Sequence, residues 1–259
     1  MLITSRKNPT AAMLRALCRE KKERDEKGLF LIEGVKLAEE SVRSGLEITG
    51  AYAVKEALEK NPGTAELLEK NCGITLISED IAAFISDTKT PQGVFVTAKI
   101  LDKSDISAKI KGYRRVMLLD RLQDSGNVGT IIRTAEAMGF DAVFANEGTA
   151  DLRSPKVIRS AMGSLFRLPC LCLPLDGLIP QLAAEGFDIY AAMLDEKAQR
   201  LGEISFGGKT AIVIGNEGNG VSAEIAALCN KKVYIPIKNA ESLNAAAAAA
   251  ILCWELRGS

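Results

Sequence analysis

From residue 114 onward, short apolar runs alternate with helical stretches, and this alternation constrains the fold more than any other feature of the chain. Runs at 116–120, 142–146, 169–173, 188–193, 210–214 and 233–237 read as strands. Helices are expected between them near 128–138, 155–163, 176–185 and 222–229, with a last one over 243–256. Repeated βα units with strands this apolar predict a mostly parallel sheet covered by helices on both faces. Upstream, a helix is expected from Asn8-Pro9-Thr10 to about Glu26, then strands at 29–32, 47–54, 74–78 and 93–98. Helices at 35–44, 64–71 and 79–86 complete a smaller α/β domain. The expected division is therefore 1–100, a polar linker at 101–113, and 114–259.

The stretch 116–140, VMLLDRLQDSGNVGTIIRTAEAMGF, passes from strand through a polar turn at 123–127 into a helix. Val128, Ile131, Ile132, Ala135 and Met138 share one helical face, and Arg133 lies off it. The start of such a helix offers unpaired backbone N–H groups, which suit a phosphate; an ordinary βα unit with a surface Arg–Glu pair fits equally. Gly215-Asn216-Glu217-Gly218-Asn219-Gly220 follows the strand AIVI, and Ser222 is placed to cap the next helix. Its order is G-x-x-G-x-G and it comes late in the chain, unlike a dinucleotide fingerprint, so a structural turn and a ligand loop both remain open. Ile235-Pro236-Ile237 closes a strand, and Ser242-Leu243-Asn244 opens a helix containing the six alanines Ala245–Ala250.

Composition removes several chemistries. Histidine is absent, which excludes Ser-His-Asp and Cys-His catalysis, histidine-ligated metals and the usual general base. The six cysteines form no C-x-x-C and read as buried free thiols. Lysine and arginine total 33 against 33 acidic residues, which counts against a generic polyanion binder. Residues 1–19 nevertheless hold Arg6, Lys7, Arg15 and Arg19 with no acidic residue. These four form either a solvated helix face or a basic arm that could touch phosphates. No segment has the length of a membrane span or the form of a signal peptide, so the expected location is the cytoplasm.

Taken in order, the three stretches resemble the three motifs of the SpoU (TrmH-like) family of the SPOUT superfamily, S-adenosylmethionine-dependent RNA ribose 2′-O-methyltransferases. Asn127, Gly129 and Arg133 match the first motif, Gly215 to Gly218 the second, and Ile235, Pro236, Ser242, Leu243 and Asn244 the third. Ala245-Ala246 stand where that family usually has Val-Ser or Val-Ala. Ser5-Arg6-Lys7-Asn8, Phe30-Leu31-Ile32-Glu33-Gly34 and Thr90-Pro91-Gln92-Gly93 resemble the family's substrate-binding domain, which is similar to a ribosomal-protein RNA-binding fold.

This resemblance implies a trefoil knot in the C-terminal domain, a bent methyl donor bound within it without a metal, and a homodimer. It implies Arg133, Asn127, Glu217, Ser242 and Asn244 as catalytic residues. Gly215, Asn216, Gly218, Ile235, Ile237 and Leu243 are implied as donor-binding. The implied substrate is RNA, with 23S ribosomal RNA favoured over transfer RNA; a catalytically inactive ribosome- or RNA-binding module is the alternative of a different class. Arginine stays protonated, so a clamp on phosphate or developing oxyanion suits Arg133 better than a general base.

Overall fold

The computed structural model describes residues 2–100 and 106–257. Its elements begin β1 (Leu2–Ile3), α1 (Pro9–Arg19), α2 (Lys21–Lys27), β2 (Leu29–Glu33), α3 (Val35–Arg43) and β3 (Ile48–Ala53). They continue α4 (Lys55–Lys60), α5 (Pro62–Cys72), β4 (Ile74–Ile77), α6 (Glu79–Ile85), β5 (Val94–Lys99) and α7 (Ile106–Ile110). Next come β6 (Arg115–Leu119), α8 (Ser125–Ala137), β7 (Ala142–Ala145), α9 (Pro155–Ala161), α10 (Ser164–Arg167), β8 (Cys170–Cys172) and α11 (Leu175–Ala184). The chain ends β9 (Asp188–Ala192), β10 (Gln199–Arg200), β11 (Thr210–Ile214), α12 (Ala223–Leu228), β12 (Lys231–Tyr234) and α13 (Ala245–Leu256).

Two compact units result: Met1–Ile100 with Arg153–Phe166, and Leu101–Leu152 with Arg167–Ser259. The first unit has a five-stranded sheet in the order β1-β4-β3-β5-β2, parallel from β1 to β3 and antiparallel beyond. Leu14, Leu17, Ile81, Ile85 and Phe95 belong to its core. The single helix expected from residue 8 to 26 is two. Glu20 is extended, and the buried Arg24 turns back to donate from Nη1 to the carbonyls of Leu17 (2.6 Å) and Cys18 (3.3 Å), closing the end of α1. Pro62 occupies the first turn of α5, where its missing N–H costs nothing. The short helix α4 was not foreseen.

In the second unit seven strands pair in the order β10-β12-β9-β11-β6-β7-β8, every pair parallel. Alternate residues point to opposite faces. Val116, Leu118, Ile189, Val213 and Phe144 pack with Leu178, Ile179 and Leu182 of α11 and Ile225 of α12. The other face takes α8 and α13, whose Val128, Ile131, Ile132, Ala249, Leu252 and Cys253 are fully buried. Thus the mostly parallel sheet with helices on both faces, preceded by a smaller α/β unit, is what forms.

Two organisational expectations differ from the structure. Residues 101–105 of the expected linker lie outside the described residues, and 106–110 form α7, whose Ile106 and Ile110 join the second unit's core. Residues 153–166, assigned by sequence to the second domain, group with the first unit, where α9 packs on β2 and Phe166 meets Phe30 at 6.4 Å.

At the end of β6 the fully buried Asp120 joins three segments. Its carboxylate accepts from Asn146 Nδ2 (3.0 Å), after β7, and from the backbone N–H of Ser222 (2.8 Å), while its own N–H donates to Ile214 O (2.8 Å). Ser222 does occupy the N-cap of α12, but its hydroxyl makes no capping bond and is left buried without a partner. Replacing Asp120 by Ala orphans two donors, so Asp120→Ala should lower stability by about 1–3 kcal/mol. A urea titration checks this: the midpoint should fall at unchanged slope.

Candidate active site

The C-terminal ends of β12, β9, β11 and β6 lie side by side at one edge of the parallel sheet, the edge at which open α/β sheets carry their ligand crevice. After β6, Arg121 takes a left-handed backbone (φ 57°), and Asp124 caps α8 by accepting from Asn127 N at 2.8 Å. The helix therefore starts at Ser125, ahead of the expected Val128, and Asn127 sits in its first turn.

After β11 the loop doubles back. Asn216 and Gly220 exchange two backbone hydrogen bonds of 2.9 Å, which brings the chain across Gly215. A Cβ on Gly215 would lie 2.0 Å from Gly220 C and from Val221 N, so no other residue fits without rebuilding the crossing. Asn216 fixes the loop, donating from Nδ2 to Arg121 O (2.9 Å) and accepting at Oδ1 from the N–H groups of Gly218 (3.0 Å) and Asn219 (3.2 Å).

Glu217 then binds the start of α8. Its carboxylate accepts from the N–H groups of Gln123 (3.2 Å) and Asp124 (3.1 Å) and from Asn127 Nδ2 (3.0 Å). Because a carboxylate only accepts, Asn127 must turn its amide nitrogen to Glu217 and its oxygen outward. That oxygen accepts from Asn244 Nδ2 at 3.0 Å. Asn244 is left with its own oxygen over α13, where it accepts from Ala246 N (2.9 Å) and Ala247 N (3.2 Å) as the helix cap. One directed relay thus ties together the three stretches singled out in the sequence. Burial alone would raise the Glu217 pKa, but the Asn127 amide and the backbone N–H groups of Glu217, Gln123 and Asp124 outweigh it and hold it below its ordinary 4.5.

Beside this relay opens a cavity of about 250 Å³. Gly215, Asn216, Glu217, Gly218, Ile235, Ile237, Ser242 and Leu243 all line it. Met193, Leu194, Tyr234 and Glu241 line it too and were not foreseen; only pairing of β9 between β11 and β12 places the 193–194 segment there. Asn127, Asn244 and Arg133 do not line it. Arg133 is exposed on α8 and has no side-chain partner among the described residues. The volume lies near the lower end of the ~300–1,000 Å³ of small-molecule sites. Apolar walls and a side-chain-free crossing at Gly215 suit an aromatic ring. Among the described residues no cluster of His, Cys, Asp or Glu could hold a metal. Burial pushes the thiols of Cys229 and Cys253 up to about 12, which leaves them poor nucleophiles.

The basic residues near the N-terminus do not form a projecting arm. Arg6 is paired with Asp80 and lies over the Phe84 ring. Arg15 stacks on the same ring, 4.4 Å from its centroid, and donates to Phe84 O; Arg19 donates to Ser86 O at 3.2 Å. Lys7 is exposed.

Fold and site together define an α/β cofactor-binding unit of the parallel-sheet kind, joined to a separate smaller α/β unit. The chain belongs to the SpoU rRNA methylase family, whose model matches residues 114–254. A second model, the MRM3-like substrate binding domain, matches residues 8–96. The chain is 39% identical over 240 residues to the 23S rRNA (guanosine(2553)-2′-O)-methyltransferase RlmP of Bacillus subtilis, covering 92% of each. It is 30% identical to a 23S rRNA (uridine(2479)-2′-O)-methyltransferase of Streptomyces viridochromogenes, over 98% of this chain and 90% of that one. Among solved structures, the AdoMet-bound rRNA methyltransferase of Sinorhizobium meliloti superposes with a TM-score of 0.85 at 27% identity, covering 100% of this chain and 97% of that one.

The lowered Glu217 pKa makes a pH prediction. A carboxylate held below its unfolded value adds stability above that value and loses it as pH falls through the folded one. The stability gap between the natural chain and Glu217→Gln should therefore be level above pH 4.5 and shrink below it. Thermal melts from about pH 7 to about pH 3 read this directly, and a gap that stays constant to the acid end rejects the assignment.

Proposed function

We infer that this chain is an S-adenosylmethionine-dependent methyltransferase acting on a ribose 2′-hydroxyl of RNA, with 23S ribosomal RNA as the substrate. The observation that carries this is the Glu217–Asn127–Asn244 relay, which gathers three motifs from remote parts of the chain beside one cavity. The relatives that act on 23S ribosomal RNA match over nearly the whole length of both chains. An inactive binding module has no need to keep that relay, and ribosomal RNA is preferred to transfer RNA on the same relatives. The cytoplasm is the proposed location, in keeping with the bacterial relatives that act on 23S ribosomal RNA. No helix among the described residues is long and apolar enough to cross a membrane.

The donor supplies an activated methyl group; the protein's part is placement. Gly215, Ile235 and Leu243 shape the donor cavity, with Asn216 and Gly218 fixing its loop and Ile237 closing its wall. Glu217 has its acceptor positions filled and its proton affinity lowered, so it acts as a positioning residue and not as the base. Asn127 and Asn244 hold the starts of α8 and α13, and Ser242 offers a hydroxyl at the cavity. Arg133, exposed and without a side-chain partner among the described residues, is available to RNA. A guanidinium gains nothing from a cationic donor but can fork onto a phosphate and stabilise negative charge growing on the 2′-oxygen. Arg6 and Lys7 ahead of α1, with Arg15 and Arg19 on it, form the proposed RNA-facing side; the pairing of three of them reduces what they can give to phosphates.

The same reading includes a trefoil knot and a two-fold homodimer. Membership of the SpoU rRNA methylase family over residues 114–254 supports the knot. Ile251 and Trp254 support the dimer: with Ala247 they lie on one exposed face of α13, an apolar surface that a second copy would bury.

Arg133→Ala should reduce single-turnover methyl transfer to ribosomal RNA about 10²–10³-fold. Donor affinity by calorimetry should stay within about twofold, and Arg133→Lys should rescue poorly for want of the planar fork. Near-normal transfer by the Ala variant overturns the clamp role, and lost donor binding makes the residue structural. If the unaltered protein transfers no methyl group to any RNA, the functional reading itself fails.

Light scattering should give twice the 27.7 kDa of one chain, and Trp254→Glu with Ile251→Glu should shift it to the single-chain mass. A monomer for the unaltered protein at micromolar concentration rejects the dimer.

A further inference from the structure

A cavity of about 1010 Å³ in the first unit has no part in the site beside the relay. It opens between the start of α3, α4, α6, the 91–93 loop and α9, and its composition is unusual in a way that points to a ligand. Val54, Ala57 and Ala83 bring short apolar side chains to its lining, from the buried Val54 to the exposed Ala83. At its margin stand two neutral amides. Gln92 spends its oxygen on Val35 N (3.1 Å), which leaves its N–H donors over; Asn61 spends its nitrogen on Ala57 O (2.8 Å), which leaves its oxygen over. Gly34 makes the first of these possible, since at φ 112° it would place a Cβ 3.1 Å from Gln92 Oε1.

One wall is the Arg159 guanidinium. Both its terminal nitrogens are bound to the Asp87 carboxylate, at 2.6 and 3.0 Å, and the side chain remains 36% exposed. A guanidinium held in this two-pronged way cannot rotate, and its charge is already answered. What it still offers is a fixed plane, and arginine planes are a surface on which unstacked RNA bases settle. Lys36 and Lys60 stand at the rim with exposed side chains. Their charges are balanced in the lining: Glu56 and Glu79 are exposed there, and Glu33 is bound by the hydroxyls of Ser86 and Thr88. Bulk attraction for a polyanion is therefore weak, and recognition must come from shape, stacking and edge hydrogen bonds.

We propose that this cavity holds one unstacked base of the RNA substrate, stacked against the Arg159 guanidinium beside Val54, Ala57 and Ala83, with Lys36 and Lys60 meeting the flanking phosphates. Gln92 supplies a donor and Asn61 an acceptor to the base edge. The proposal rests on the reading of RNA as substrate, and it assigns the base-binding role to the cavity and not to the paired arginines of α1.

Binding of the full chain to deproteinised 23S ribosomal RNA, measured without methyl transfer, tests it. Ala83→Phe adds a ring to the lining from an exposed helix position and leaves every ion pair intact; it should weaken RNA binding about tenfold. Lys36→Gln with Lys60→Gln should weaken it less and flatten the salt dependence by about 0.7 per lysine, as expected for contacts to a single strand. Arg159→Lys keeps the charge without the plane and should lose as much as Arg159→Leu; thermal melts identify any variant that has simply unfolded. Donor affinity by calorimetry should be the same in all of them. Photocrosslinks from 4-thiouridine-substituted RNA should map to the peptides carrying Met162 and Gln92. If Ala83→Phe and the lysine pair bind RNA within about twofold of the unaltered chain, or the crosslinks fall on α1, the cavity is not the site. If the unaltered chain binds no RNA at all, the RNA reading falls together with it.

Discussion

A carboxylate that can only accept hydrogen bonds decides the geometry of the catalytic unit. Once Glu217 faces the start of α8, Asn127 has one amide orientation, and Asn244 then has one as well. The last link is a helix cap, so the position of α13 depends on a carboxylate in another loop. Each bond is modest by itself, about 1 kcal/mol for a neutral pair and more where the carboxylate accepts. Their worth lies in direction: the relay has no alternative polarity, and reversing one amide would set donor against donor.

The relay needs a backbone scaffold that brings its members within reach. Parallel pairing puts the C-terminal ends of β6, β11, β9 and β12 at one edge, and the loops after them become neighbours. Asp120 fastens that edge from below, and Gly215 lets the returning loop cross in contact with its own strand. The resulting cavity is walled by apolar and backbone groups. A site of this kind holds its ligand by fit, and the exposed Arg133 stands outside it.

The first unit handles charge differently. Its arginines are largely spent inside the unit: Arg24 closes α1, Arg15 lies on Phe84, and Arg159 is forked onto Asp87. A count of basic residues along the chain overstates what such a surface can offer to a polyanion, because an arginine engaged by a carboxylate or a carbonyl contributes shape before it contributes charge.

The sequence by itself determined the class of each half, most elements and the three motifs. Apolar periodicity, capping residues and glycines act over a few residues, so a single pass along the chain registers them. It also singled out residues that line the cavity beside the relay, since Gly215, Ile235 and Leu243 stand in those motifs. What it left to the tertiary structure is whatever depends on a distant partner. Strand order, the burial of Ile106 and Ile110 in an apparent linker, and the grouping of 153–166 with the first unit all rest on packing between remote segments. So do the bond from the Ser222 backbone N–H to Asp120 and the capture of Arg6, Arg15 and Arg19 by α6 and the residue after it. The relay itself joins residues 90 and 117 positions apart, and no local pattern specifies which amide will meet which carboxylate. That choice is made only when the parallel sheet closes and brings those loops to the same edge.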